Sequence, residues 1–157
     1  VVDGRPIAGA ATRGTGKTTM MNMTSKMMDT ASNMPGMDMA AMNELVEACS
    51  ACEQACTLCA DSMMMMDGMG KCAAMCTDTA DMSNTMMRAM LRPTGYDMNS
   101  MMAMMQATMT MCTACADECM KHADMSEQCK MCAETCRQCA MACQKMMDSM
   151  KTMMPTA

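Results

Sequence analysis

The chain has 157 residues and a formal charge of −5, and its 35 Met and 14 Cys put sulfur on nearly a third of its side chains. Phe and Trp are absent, Tyr96 is the sole aromatic, and Val, Ile and Leu together number seven, which excludes ordinary all-β and α/β domains built on branched and aromatic strand residues. The acidic balance, without a basic run or an aromatic platform, excludes a nucleic-acid binder; no apolar stretch is long enough to span a membrane.

The first elements form an extension over residues 1–36. Residues 1–16 read as a flexible tail. Residues 11–18, Ala-Thr-Arg-Gly-Thr-Gly-Lys-Thr, fit a relaxed phosphate-loop pattern with Ala11 in place of the first Gly. Such a loop follows a buried strand and opens a helix of a parallel sheet. Asp3-Gly4-Arg5-Pro6 is no such strand, so nucleotide binding is set aside. From Lys17 to Asn33, Met20, Met23 and Met27 step by three and four residues and predict a short Met-rich helix.

Residues 37–157 then read as four long helices. The first follows the Pro35-Gly36 breaker with Asp38 as N-cap, and its inward face is Met42, Leu45, Cys49, Cys52, Cys56, Cys59, Met63 and Met66. Asp67-Gly68 makes the turn. The second presents Met69, Cys72, Cys76, Thr79, Ser83, Met86 and Met90 and stops at Arg92-Pro93. The third, capped by Asp97, presents Met98, Met101, Met105, Thr108, Cys112, Cys115, Cys119 and His122. The fourth opens with Asp124 and Glu127 at capping-box spacing and presents Met125, Cys129, Cys132, Cys136, Cys139, Cys143, Met146, Met150 and Met153. Short turns between four such helices predict an all-α, antiparallel up-down-up-down four-helix bundle. In that topology the cysteines gather at one pole and in the middle, and Met42, Met86, Met90, Met98, Met101, Met105, Met146, Met150 and Met153 gather at the other.

Each Cys stripe follows the heptad alternation of one helix face. Same-face neighbours on a helix have Cβ atoms ~5–6 Å apart, whereas a disulfide wants ~3.5–4.5 Å. A disulfide scaffold is therefore disfavoured, and so is a redox pair, which sits singly at a helix start in a thioredoxin-like context. Thiolate and thioether together select soft ions, Cu(I) above all. Each Cys-x2-Cys pair can hold one ion, and Cys-x3-Cys steps let one sulfur bridge to the next. Fourteen buried thiolates need neutralising. Cu(I) at about one ion per thiolate, on the order of 14 per chain, does so, whereas Zn(II) prefers a few closed four-ligand sites and leaves the methionines without a role.

These repeated Cys-x2-Cys and Cys-x3-Cys steps on four antiparallel helices, over roughly Asp38 to Pro155, resemble the bacterial copper storage proteins. The pairs Cys49/Cys52, Cys56/Cys59, Cys112/Cys115, Cys129/Cys132 and Cys136/Cys139, with the Cys72/Cys76 step, carry the likeness. The resemblance implies many Cu(I) ions along the bundle core, storage as the role, a homotetramer, and Met and His residues at one mouth. Met42, Met86, Met90 and Met146 match that mouth. The chain departs from the family in its Met content and in His122, which falls at the cysteine pole.

Each candidate has a plainer reading beside it. Met fills irregular core gaps and forms helices well, but Met63-Met64-Met65-Met66 covers all sides of a helix end and must expose thioethers, which suits exchangeable copper capture. His122 is either a ligand or a helix-end residue on the C-terminal dipole. The other functional classes are a metallothionein-like sink for mixed soft metals and an Fe–S electron carrier, the latter lacking a Cys before Pro. One His and no base–nucleophile pair argue against an enzyme. A copper donor or acceptor protein is an expected partner. Met-rich copper handling and the start at Val1 together lead us to expect export to the periplasm.

Overall fold

The computed structural model describes residues 23–30 and 36–153. The tail over 1–16, the loop-like motif over 11–18, Met20, Met34 and Pro35 lie outside the described residues. Helix α1 spans 23–30. Four longer helices follow: α2 Met39–Met64, α3 Gly70–Met90, α4 Met98–Met120 and α5 Glu127–Met153, with a 3-10 turn at Pro93–Gly95. Among the described residues there is no strand. Helix α2 packs on α3 and α5, and α4 packs on the same two. This is the closed square of an up-down-up-down bundle, as the stripes predicted.

Local signals explain most of the helix ends. Asp38 accepts a hydrogen bond from the Ala41 backbone N–H at 2.9 Å, and Asp97 accepts one from Ser100 at 2.7 Å. Each satisfies a donor that the first helical turn leaves open. Gly68 takes the positive φ of 78° that lets the chain reverse between α2 and α3. The fourth bundle helix departs from expectation. Ser126, not Asp124, caps α5, its Oγ accepting from Cys129 N–H at 3.2 Å. The physical reason is the tightness of the preceding turn: His122 C=O accepts from both Met125 and Ser126 N–H, which keeps Asp124 in the turn and away from the helix start.

The core is built of Met, Cys and Ala, with Leu45 and Val46 the branched contributors. Most of the predicted inward residues are buried, including Met42, Met86, Met90, Met105, Met146 and Met150 at one pole. Three assignments change. Met66 turns outward past the end of α2, Met125 is 70% exposed in the α4–α5 turn, and His122 lies beyond the end of α4. In α1 the buried residue is Met28, while Met23 and Met27 face solvent. Asn43 Nδ2 donates to Ser25 Oγ at 2.8 Å, tying α1 to α2.

Side-chain burial and caps hold the four helices together. Circular dichroism of the reduced, metal-free chain will show full helicity before any ion is added. Ser126→Ala will cost about 1 kcal/mol of stability, whereas Asp124→Ala will change it by less than ~0.5 kcal/mol, as measured by urea unfolding.

Candidate metal centre

Every cysteine of the chain lies in the bundle interior, buried and free of disulfides. The sequence pattern places neighbours one turn apart on a helix, yet nearly all the close sulfur pairs join different helices. Cys56 Sγ lies 3.4 Å from Cys136 Sγ and 3.6 Å from Cys132 Sγ. Cys49 meets Cys139 at 3.7 Å, Cys52 meets Cys112 at 3.8 Å, and Cys76 meets Cys119 at 3.6 Å. Among these contacts, Cys52 with Cys56, at 3.9 Å, stays within one helix. The four Cys stripes thus interlock across the bundle axis, and Cys-x2-Cys is not the unit that converges.

The convergent units each draw on three helices at once. Cys56, Cys115, Cys132 and Cys136 have all their sulfurs within 4.8 Å of one another, as do Cys59, Cys72, Cys76 and Cys119. A third set, Cys76, Cys115, Cys119 and Cys132, takes two members from each of these. Toward the other pole the sets thin to three thiols, Cys52, Cys112 and Cys139, and then to the neighbourhood of Cys49 and Cys143. A metal–sulfur bond of ~2.3 Å makes a tetrahedral S···S edge of roughly 3.8 Å and a linear S–metal–S span of roughly 4.6 Å. The contacts above match the shorter spacing, and every pair within a set lies within 4.8 Å.

Hydrogen bonds among the thiols and burial set their acidity. Burial pushes Cys72 up to about 11 and Cys129 up to about 12. In the middle, bonds with Cys115 and its neighbours push Cys56 upward, while the bond from Cys112 holds Cys52 down. Bonds from Cys139 and Cys49 bring Cys143 down to about 5. Thiols in contact at this density cannot all ionise in the absence of cations.

Hydroxyls close the thiol column. Thr79 and Thr108 donate back to the Met75 and Met104 carbonyls at 2.7 and 2.8 Å, and Ser83 Oγ is buried without a partner among the described residues. Beyond them stand the buried thioethers Met42, Met86, Met90 and Met146. The phenol of Tyr96 donates to Met42 Sδ at 3.5 Å and to the Met90 carbonyl. At the opposite pole His122 is partly buried, its Nε2 3.7 Å from Glu118 Oε1. Glu118 also pairs with Lys71 and Lys121 at 3.2 and 2.7 Å. Met63 Sδ accepts from Cys129 Sγ at 3.5 Å. The stripe placed both Met63 and Met66 inward, and the fold keeps Met63 there while Met66 is exposed.

A helical bundle lined along its axis by overlapping thiol clusters defines a polynuclear soft-metal protein. The family described as Copper storage protein matches residues 38–148, and the chain belongs to it. A solved structure of the copper storage protein Ccsp from Streptomyces lividans, loaded with 10 copper equivalents, is 38% identical, with a TM-score of 0.78 over 80% of this chain and 98% of that one. A single-histidine variant of that protein is 42% identical, with a TM-score of 0.71 over 73% of this chain and 98% of that one. A third structure, of a cytosolic copper storage protein from Streptomyces lividans with five coppers, is 42% identical, with a TM-score of 0.68 over 69% and 93% of the two chains. No curated protein sequence matches. The expectation of export is corrected by the third likeness, whose protein is cytosolic. Thioether ligation is indifferent to compartment and so gives no ground for export.

Because buried thiols such as Cys72 and Cys129 hold their protons at neutral pH, each ion bound there displaces a proton. Loading the reduced chain in weak buffer at pH 7 will release on the order of one proton per Cu(I), read by a pH indicator. Affinity will fall as pH is lowered, because protons then compete for the same sulfurs.

Proposed function

We propose that this copper storage protein holds its copper as Cu(I) on the thiolates of Cys49, Cys52, Cys56, Cys59, Cys72, Cys76, Cys112, Cys115, Cys119, Cys129, Cys132, Cys136, Cys139 and Cys143. The observation that carries this reading is the overlap of the four-thiol sets. Cys76, Cys115, Cys119 and Cys132 each belong to two of them, so closed tetrahedral Zn(II) sites can occupy the two sets that share no thiol but cannot occupy the third set as well. Bridging sulfurs shared between monovalent ions can, and each added Cu(I) cancels one thiolate charge. Storage rather than catalysis is the role. The likeness to a cytosolic relative supports a cytosolic place for it.

Met42, Met86, Met90 and Met146 receive copper at the thioether pole and pass it toward Cys49 and Cys143, from weaker to stronger ligands. His122 serves as an additional ligand at the thiol pole. The chain works as a homo-oligomer, a tetramer by family resemblance, and exchanges copper with a donor or acceptor protein. Exposed Leu58, Met131 and Met141 on α2 and α5 supply apolar surface for association.

Equilibrating the reduced chain with equal Cu(I), Zn(II) and Cd(II) will leave copper in large excess on the protein, as measured by metal analysis after gel filtration. Comparable loading with all three metals would favour a metallothionein-like sink. Changing Met42, Met86, Met90 and Met146 together to Leu will slow Cu(I) transfer from a chelator without lowering capacity, and unchanged kinetics would remove the thioether pole from the route.

A further inference from the structure

The two poles are closed differently. At the thioether pole Met42, Met86, Met90, Met105, Met146 and Met150 are all fully buried, and Tyr96 ties Met42 and Met90 together. An ion arriving there crosses several packed side chains before it meets a thiol. At the thiol pole the sulfur path to the surface is short. Cys129 Sγ lies 3.8 Å from Cys59 Sγ and 3.9 Å from Cys72 Sγ, and both of those belong to a four-thiol set. The same Cys129 Sγ donates to Met63 Sδ at 3.5 Å. Met63 is buried in the last turn of α2, and the next residues, Met64, Met65 and Met66, put thioethers in solvent, Met65 at 91% exposure.

The geometry points to a second copper port at the thiol pole, in which Met63 hands Cu(I) from the exposed thioethers of Met64–Met66 to Cys129, Cys59 and Cys72. This site rests on the Cu(I) storage reading and adds a route that none of the other residues supplies. The chemistry is ligand exchange without a redox change. A Cu(I) ion carried by exposed thioethers binds the Met63 Sδ lone pair that now accepts the Cys129 S–H. Cys129 then loses its proton to solvent, its thiolate takes the ion, and the Met63–copper bond breaks. Thioethers suit the outer steps because they bind soft ions without deprotonation, and thiolates suit the destination because they bind more strongly. Leu at Met63 keeps the volume and removes the sulfur, so packing is conserved.

The test uses the full-length, reduced chain and Cu(I) delivered anaerobically from a chromophoric chelator in a stopped-flow instrument. Met63→Leu will slow uptake about tenfold, the effect of raising one barrier by ~1.4 kcal/mol. A second measurement needs no variant. Quenching the wild-type reaction early with an alkylating reagent and mapping modified thiols by mass spectrometry will show Cys129, Cys59 and Cys72 protected before the mid-column thiols Cys56, Cys115 and Cys136. An unchanged rate in Met63→Leu, or protection of Cys129, Cys59 and Cys72 only after those mid-column thiols, overturns the port and leaves storage standing. Failure of any wild-type thiol to become protected at full loading overturns the storage reading itself.

Discussion

Sulfur-to-sulfur contact across the bundle axis is the constraint on which the rest of the structure depends. Thiols from all four bundle helices meet in pairs as close as 3.4 Å, in a column that water does not reach. Neutral, they pack as small apolar groups. Ionised without cations, they would repel one another at contact distance in a low-dielectric interior. The interior therefore has two compatible states, one with protons on the sulfurs and one with soft metal cations among them. Exchange between those states is the chemistry of storage.

The same constraint accounts for the unusual composition of the scaffold. Bulky branched or aromatic side chains at the axis would hold the helices too far apart for sulfurs to meet. Cys lines the axis, and buried Ala41, Ala73, Ala116 and Ala133 flank it. Met takes up the volume where thiols stop, because its unbranched side chain adapts to irregular space and keeps a high helix propensity. The tapering of the thiol sets from four members to three, ending at Cys49 and Cys143, gives the column a direction. Below it lies a thick thioether plug pinned by Tyr96; above it the buried thioethers Met63 and Met69 adjoin exposed ones.

Much of this was legible in the sequence, for a simple reason. A stripe that alternates by three and four residues can only be one face of a helix, and fourteen cysteines on such stripes fix which faces turn inward. The bundle topology and the burial of Met42, Met86, Met90 and Met146 followed from that. What stayed hidden depended on relations between helices. Spacing along one chain favoured ions held by Cys-x2-Cys pairs, whereas the close sulfurs come from facing helices. Helix ends were hidden too: the tight turn at His122 decided that Ser126 rather than Asp124 caps α5 and left Met125 in solvent. In α1, the repeat of Met23 and Met27 was real, but the face that packs carries Met28. Compartment was misjudged because thioether content says nothing about redox environment.

The central claim is that one continuous thiol column takes up cuprous ions to the limit of its sulfurs. Anaerobic titration of the fully reduced chain with Cu(I), against a competing chelator and followed by metal analysis, tests it most directly. Charge balance predicts tight binding up to about one ion per thiolate, on the order of 14 per chain. Saturation at three or four tightly held ions would contradict it, showing that the cysteines form discrete closed sites.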